Sequence, residues 1–357
     1  MPNSGIQTCT PTYLSREIEA ARSIDQLRAL GAKMLDMVRF AIGTDADIKS
    51  LVQLISQLND AMTLRLIALL ESSEGIRLPE GAAYLALGSE GRGEQTLRTD
   101  QDSAIVYFDD LSPEKLREVE RFATRLVNAL EEIGVPRCPG KIMASNPQWR
   151  HSLTEWKRLL DQWITEPTPE HMLNFGMFQD MRVLHGDQRF ESELRTHIYE
   201  TARSKSLFFP SMARNIVRFK PPIGMFGRLL VEKSGPCRGK LDLKKGGMFA
   251  MVRGIGLLAL EVGIVGGSTW EKVERLRSLN LISSTDLEAI EESFNTLVRM
   301  RLGRQLSARA ANQEADNCID PLVMTERQRI QLRAALRGVD TLLQILRSHY
   351  KLDMIAR

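Results

Sequence analysis

The chain has 357 residues, of which 43% are hydrophobic and 26% charged, and this length is enough for two or three domains with sizeable cores. Lysine and arginine total 48 against 45 aspartates and glutamates, a near balance that argues against a broad nucleic-acid-binding surface. No apolar run reaches transmembrane length and the N-terminus has no signal-peptide core, so we expect a soluble, cytoplasmic protein that does not engage a membrane.

The N-terminal part is predicted to be helical over residues 13–73. Apolar residues spaced by three and four place one stripe against a core, and they include Leu27, Leu30, Met34, Met37 and Val38. Asp45 or Asp47 is a suitable cap for a second helix, which we expect to run as far as Leu70 before "ESSEGIRLPEG" ends it.

A mixed segment follows. The short apolar runs "AAYLAL" (82–87) and "SAIVYF" (103–108) are typical of buried strands. The stretch 112–134 opens with Ser-Pro and ends at a glycine, so it predicts a long helix. "GKIMAS" (140–145) is predicted to form a third strand, which completes a small α/β unit.

From residue 148 onward the pattern is helical again, and the stretch 169–186, "PEHMLNFGMFQDMRVLHG", is interpreted as one of its helices. The predicted fold class is therefore α/β plus all-α, with a mixed sheet in the core. Three segments are predicted: an N-terminal helical segment (1–74), the α/β core (75–147) and a C-terminal helical domain (148–357).

The loop between the first two predicted strands, "GSEGRGEQTLRT", has the composition of an anion site. Gly88 and Ser89 directly follow the strand, and Gly91 and Gly93, which lack a β-carbon, allow the backbone to turn sharply and to approach a ligand closely. Free N–H groups in such a turn and the hydroxyl of Ser89 can bind phosphate oxygens, and Arg92 adds a guanidinium suited to phosphate.

Asp100 and Asp102 are two residues apart at the start of the second predicted strand. Residues i and i+2 of a strand point to the same face, so the two carboxylates should converge. Carboxylates that close together need a cation or a proton between them, and Mg²⁺ is the natural hard cation because it shares oxygen ligands with nucleotide phosphates. The pattern thus points to nucleoside triphosphate chemistry.

Each part also has a simpler interpretation: Gly-Ser as a plain turn, the aspartates as a solvated strand end, and Arg92 as an ion-pair partner of Glu94. The combination of strand, glycine-serine turn, paired aspartates and second strand is far more specific than any part. It contains neither the GxxxxGK[ST] of a P-loop nor a dinucleotide GxGxxG.

"GSEGRGEQTLRTDQDSAIVY" resembles the DNA polymerase beta-type nucleotidyltransferase superfamily. More closely, it is similar to the nucleotidyltransferases found with cyclic-nucleotide-binding and CBS modules in bacteria, which are similar to PII uridylyltransferase and glutamine synthetase adenylyltransferase. "FQDMRVLHGD" and "LDLKKGGMFAMVRGIGLLAL" also resemble blocks of that family. The resemblance extends from about residue 20 to the end.

The resemblance implies that Gly88 and Ser89 bind a triphosphate, ATP or UTP, and that Arg92 helps to position it. Asp100 and Asp102 would be the catalytic carboxylates and would hold Mg²⁺ or Mn²⁺. The reaction would transfer AMP or UMP to a hydroxyl of a protein or small-molecule acceptor in bacterial signalling.

Superfamily members usually carry a third carboxylate on a later strand, and "GKIMAS" has none. Asp180 is the best candidate for a third metal ligand and Glu94 a weaker one. The simpler interpretation of Asp180 is a surface charge on a helix, or a partner of Arg182. Without a third carboxylate, the protein would be a catalytically weak module that binds a nucleotide or a partner.

Lys244, in "LDLKKGG", is a candidate nucleotide-binding residue by the same resemblance, although adjacent lysines before a helix are often only solvated. The four cysteines and five histidines are scattered, and their spacing predicts neither a zinc site nor a disulfide framework. RNA tailing is a weaker alternative, because the charge balance and few aromatic residues argue against an RNA track. The long N-terminal helices are suited to pairing in a homodimer.

Overall fold

The computed structural model describes residues 10–44, 46–97, 100–311, 313 and 316–354. The chain divides into two compact units. The first comprises Met1–Gln162 and Asn174–Ile198, and the second comprises Trp163–Leu173 and Tyr199–Arg357. The mixed α/β class, with a small sheet and helical N-terminal and C-terminal segments, is confirmed.

The N-terminal helices of the first unit are α1 (Pro11–Ala20), α2 (Ile24–Gly43) and α3 (Ile48–Glu74). The side chain of Asp47 accepts a hydrogen bond from the Ser50 N–H and caps α3, whereas Asp45 lies outside the described residues. The apolar stripe predicted on α2 is buried, because it faces α1 and α3.

A four-stranded sheet forms the centre of the first unit. Its strands are β1 (Ala82–Ala86), β2 (Ser103–Tyr107), β3 (Arg150–Ser152) and β4 (Arg182–Gly186), in the order β3-β2-β1-β4. β1 is antiparallel to β2 and β4, while β2 is parallel to β3. Ala86 pairs with Ser103, so the exit of β1 lies beside the entry of β2. This register brings the predicted glycine turn next to the predicted aspartates.

Two predictions about this sheet are wrong. "GKIMAS" forms turns rather than a strand, because Lys141 has a φ of 56° that no extended strand allows. The stretch 169–186 is helical only in α7 (Pro169–Phe178), after which β4 pairs with β1. The ladder with β1 overrides the helical spacing, and the sheet takes both outer strands from residues after 147.

Short and long helices complete the described chain. A single helical turn, α4 (Gly88–Gly91), follows β1, and α5 (Pro113–Glu132) starts at the Ser-Pro signal as predicted. The remaining elements are α6 (Leu153–Thr165), α8 (Arg189–Ser204), α9 (Phe208–Ile216), β5 (Leu241–Asp242), α10 (Phe249–Glu261), α11 (Thr269–Ser278), α12 (Ser284–Ala310), β6 (Cys318–Ile319) and α13 (Glu326–His349). None of the described helices is both long and apolar enough to cross a membrane.

The second unit contains a disulfide that the cysteine spacing did not predict. Cys237 and Cys318 are bonded, with their Cα atoms 5.4 Å apart, although 81 positions separate them in the chain. Folding brings them together because β5 and β6 pair antiparallel, with Asp242 opposite Cys318. The scattered cysteine spacing, from which no disulfide framework can be read, therefore missed this pair.

Candidate functional site

The turn that leaves β1 is held directly against the start of β2. The Leu87 N–H donates a hydrogen bond of 2.9 Å to the carbonyl of Asp102. Gly88 then takes a φ of 54°, a left-handed conformation in which glycine has no steric cost. A further bond from the Glu94 N–H to the Ser89 carbonyl (2.8 Å) closes the loop. The half-buried Ser89 thus lies in a backbone turn of defined shape.

Two of the three glycines of the turn, Gly88 and Gly91, serve different purposes. A β-carbon on Gly88 would lie 2.9 Å from Oδ2 of Asp102 and 2.9 Å from Cε of Met177. A β-carbon on Gly91 would lie 2.3 Å from the Asp180 carbonyl oxygen, so packing against the turn before β4 requires that glycine. Only Gly88 faces a predicted functional side chain, and its lack of a side chain lets the turn lie close against the Asp102 carboxylate.

Asp100 and Asp102 precede β2 rather than lying on it. Gln101 between them is 2% exposed, and its side-chain amide donates to the carbonyls of Val127 and Val135. Both aspartates are half-buried, and this alternation places their side chains on the side opposite Gln101. The convergence of the two carboxylates, which the i, i+2 spacing predicts, stays a prediction.

Cys138 is a neighbour of this site that the sequence did not indicate. Burial, together with the negative charge of Asp102 and a side-chain hydrogen bond to it, raises the pKa of the Cys138 thiol to about 11. The thiol is therefore protonated at neutral pH and acts as a donor to the carboxylate. The two residues come together because the segment after α5 runs alongside the start of β2, where the Gln101 N–H donates to the Pro136 carbonyl.

Arg92 forms a buried ion-pair cluster. Its Nε lies 2.8 Å from Oε2 of Glu94 and its Nη1 lies 3.1 Å from Oδ2 of Asp180. The three side chains are 10%, 6% and 2% exposed, so water screens these pairs weakly. Burial lowers the pKa of Arg92, but the charges of Glu94 and Asp180 outweigh it and raise the pKa above its usual value.

The structure corrects the predicted surroundings of Asp180. The residue lies in the turn between α7 and β4 instead of on a helix, and it pairs with Arg92 instead of Arg182. Arg182 instead contacts Asp60 of α3, 2.9 Å away, and donates to the backbone carbonyl of Glu90. The roles of Arg92 in phosphate positioning and of Asp180 as a metal ligand stay predictions.

Glu90 is a second buried carboxylate of the turn, and its place in the motif is its only sequence signal. Its side chain is 8% exposed. Burial, followed by the charge of Asp60, raises its pKa to about 8, and the charge of Asp102 acts in the same direction. Glu90 is thus mostly protonated at neutral pH, so it adds little negative charge beside the aspartate pair.

The residues present suit a magnesium ion that is shared with a nucleotide. Among the described residues, no group of three or more His, Cys, Asp and Glu side chains has the geometry of a metal site. Asp100 and Asp102 supply two hard oxygen donors, and the space that a β-carbon on Gly88 would fill lies at the Asp102 carboxylate. Mg²⁺ commonly takes one or two protein carboxylates and completes its shell with phosphates and waters.

Lys244 lies in the second unit, at the start of a π-helical turn that leads into α10. It is exposed, and its backbone N–H donates to the side chain of Asp242. Its neighbour Lys245 forms an ion pair of 2.9 Å with Glu232. The following Gly246 is explained by packing within this unit, since a β-carbon there would lie 2.9 Å from the ring of Pro222.

A cavity in the first unit does not coincide with the aspartate pair. It has a volume of about 690 Å³ and lies where β1 begins and where β2 and β4 end, beside Gly81, Phe108 and Gly186. The glycine turn and the aspartates lie at the opposite end of these strands, where β1 ends and β2 begins. The candidate site is therefore identified by its chemistry and not by cavity size.

Comparison with known families agrees with the chemistry that the glycine turn and the aspartate pair predict. Residues 32–170 match the family model described as "Putative nucleotidyltransferase DUF294". The chain carries a nucleotidyltransferase-family domain. Residues 206–350 match the model described as "Putative nucleotidyltransferase substrate binding domain". No curated protein matches the sequence.

The nucleotidyltransferase match contains Gly88, Ser89, Arg92 and both aspartates of the pair. Lys244 falls in the substrate-binding match, while Asp180 lies between the two matched regions. The glycine turn, Arg92 and the aspartate pair thus lie within the region that matches the nucleotidyltransferase model, whereas Asp180 does not.

Proposed function

We propose that the protein is a Mg²⁺-dependent nucleotidyltransferase that transfers AMP or UMP from ATP or UTP to a hydroxyl of a protein or small-molecule acceptor. The observation that carries this proposal is the approach of the glycine turn to the Asp102 carboxylate, 2.9 Å from the β-carbon position of Gly88. A phosphate bound on the turn and a cation bound by the carboxylate would then be neighbours. The match to a nucleotidyltransferase-family domain supports the same chemistry.

In this mechanism the protein acts mainly by positioning. The backbone at Gly88 and the hydroxyl of Ser89 bind phosphate oxygens, and Asp100 with Asp102 holds the cation. When bound, Mg²⁺ neutralises charge that develops on the phosphate oxygens. The acceptor oxygen forms a bond to the α-phosphorus, the bond from that phosphorus to the pyrophosphate oxygen breaks, and the acceptor proton passes to solvent or to a base.

A second candidate function is a signalling module that binds a nucleotide or a partner with little or no catalysis. The cluster around Arg92 favours it, because Asp180 and Glu94, the two candidates for a third metal ligand, both pair with that guanidinium. Two carboxylates would then hold a single ion, and transfer would be slow. The resemblance of the sequence motif to enzymes that modify PII or glutamine synthetase supports a role in bacterial signalling for either candidate.

Both candidate functions require a nucleotide-binding site, and calorimetric titration of the purified chain tests whether that site exists. ATP, UTP, GTP and CTP are each titrated with and without Mg²⁺, using the wild type, the double variant Asp100→Asn/Asp102→Asn, and the control Asp110→Asn. Asp110 is an exposed carboxylate beyond the other end of β2. We expect one nucleotide to bind only with Mg²⁺, and this binding to be lost in the double variant alone.

Pyrophosphate release then distinguishes the two candidates. Release in the presence of lysate, as a source of acceptor, supports the enzyme, and the double variant should lower it by at least about 100-fold. Binding without release supports the signalling module. If a well-folded wild type binds no nucleotide, both candidates are wrong.

A further inference from the structure

A second cavity, of about 610 Å³, lies within the C-terminal unit. One wall is a face of α12, and the others come from β6, the segment after it and the first turns of α13. This volume is in the range of pockets that bind small organic molecules. The cavity is formed entirely by residues of this unit, so it can be considered by itself.

Gly303 forms part of the α12 wall and keeps it open. Glycine in the middle of a helix costs about 1 kcal/mol relative to alanine, so it usually has a packing reason. Gly254 and Gly338 have one, because a β-carbon there would lie 3.0 Å or less from neighbouring side chains. A β-carbon on Gly303 would meet nothing within 4 Å. Its effect is to leave space in the cavity.

The charges of the lining favour an anion. Three basic residues and one acidic residue line the cavity: Lys240, Arg299, Arg304 and Asp320. Arg304 already forms two hydrogen bonds, of 2.7 and 2.9 Å, with Asp316, which fixes its guanidinium on the wall. Basic side chains outnumber acidic ones three to one on the lining, which makes the cavity attractive to a carboxylate or phosphate.

Apolar side chains line part of the cavity, next to the polar Ser307, Gln328 and Gln331. Met300 of α12 and Met324 before α13 contribute flexible thioethers, and Val323 beside them is 81% exposed. Methionine adapts to irregular apolar shapes, so this part suits the body of an organic molecule better than a bare inorganic ion. The two kinds of lining together describe a ligand with one anionic group and one apolar part.

The disulfide holds Lys240 at this cavity. Cys318 is a lining residue and is bonded to Cys237, three positions before the lysine. The Lys240 N–H donates to the Cys237 carbonyl, and the Lys240 carbonyl accepts from the Glu232 N–H, both at 2.8 Å. The backbone that carries this cation is thus fixed covalently and by hydrogen bonds to the wall that it lines.

We propose that this cavity is a binding site for a small organic anion, a carboxylate or phosphate ester attached to an apolar body. The proposal concerns binding alone and goes beyond nucleotidyl transfer. It is tested without nucleotide or metal, so it stands or fails independently of the proposed function.

The probes are phenyl phosphate and 4-methylbenzoate, compared with the neutral 4-methylbenzyl alcohol and with inorganic phosphate. Binding to the full chain is measured by saturation-transfer NMR in a buffer with EDTA. We expect both organic anions to bind at least about tenfold more tightly than the neutral analogue and inorganic phosphate. Equal binding of the alcohol would show that charge plays no part and would overturn the proposal.

Variants then locate the binding. Gly303→Leu should fill the cavity and weaken binding of both anions by at least about tenfold. Gly43→Leu is the matched control, since Gly43 ends α2 and also has nothing within 4 Å of its β-carbon position. Lys240→Gln should weaken binding several-fold. Arg309→Gln removes an exposed charge of α12 and should not weaken it.

Gly303→Ala is a second variant in case Gly303→Leu does not fold. Alanine favours the helix and still reduces the space in the cavity. Loss of binding with retained circular dichroism and melting behaviour in Gly303→Ala or Lys240→Gln supports the site. Unchanged binding by folded Gly303→Leu, or by both Gly303→Ala and Lys240→Gln, would show that the anions bind elsewhere.

Discussion

The β-carbon position of Gly88 lies 2.9 Å from Oδ2 of Asp102. The N–H of Leu87 and the carbonyl of Asp102 maintain this approach through a hydrogen bond of 2.9 Å. The turn that leaves one strand and the carboxylate that enters its neighbour therefore form a single structural unit. A substitution at Gly88 should mainly displace the Asp102 carboxylate and should affect the stability of the fold to a lesser extent.

Gly88→Ala should weaken Mg²⁺-dependent nucleotide binding by at least about tenfold, because the new methyl group displaces the Asp102 carboxylate. The positive φ of 54° adds a stability cost of about 1–2 kcal/mol. Calorimetry measures the first effect and urea unfolding the second.

Gly93→Ala is the matched control for that variant. Gly93 has a φ of 63°, but a β-carbon there meets nothing within 4 Å, so it carries the same backbone cost without the collision. Equal losses of nucleotide affinity in the two variants would show that the approach to Asp102 does not matter.

Arg92→Met should destabilise the protein by about 3–5 kcal/mol, because it removes the cation from two buried carboxylates, Glu94 and Asp180. Arg117→Met, which removes an exposed ion pair with Glu114, should change stability by less than about 0.5 kcal/mol. Urea unfolding compares the two. A fully stable Arg92→Met with lowered nucleotide affinity would instead favour a direct role of Arg92 at the phosphates.

Stability should fall between pH 5.5 and 8.5, partly because of Glu90. Its folded pKa of about 8 is above its usual 4.5, so the folded state keeps a proton that the unfolded state has lost. The contribution is fully present below pH 4.5 and is lost as the pH rises through 8, by at most about 1.4 kcal/mol per pH unit. Asp60, whose pKa burial also raises, acts in the same direction.

Glu90→Gln should reduce this pH dependence, because the amide cannot titrate. Urea unfolding of wild type and variant at pH 5.5, 7 and 8.5, with EDTA present, measures the difference. Parallel curves for the two proteins would mean that Glu90 titrates normally.

Lys244→Ala should weaken nucleotide binding by up to about fivefold, as expected for the loss of one exposed charge contact with a triphosphate. Lys245→Ala is the control, because that ammonium group is paired with Glu232. Calorimetry with the nucleotide that the wild type binds provides the measurement. The same affinity in both variants would leave Lys244 as a solvated side chain.

The sequence was sufficient for features that depend on a few neighbouring residues. The two buried strands, the helix after Ser112 and the glycine turn are local, since they follow from apolar runs, capping residues and backbone freedom. The spacing of Asp100 and Asp102 is likewise local, and it predicts that both side chains leave the same side of the chain. For this reason the nucleotidyltransferase chemistry could be proposed before the fold was known.

Only the tertiary structure decided the partners of these features. β4 forms where a helix was predicted, because its pairing with β1 outweighs its local periodicity. Asp180 meets Arg92 across 88 positions of sequence, and Cys237 meets Cys318 across 81. Such contacts depend on which surfaces pack together, and no local pattern of residues records that. The sequence alone therefore determined the glycine turn and the nearby aspartate pair. Packing decided which charges surround them and where the cavity beside α12 lies.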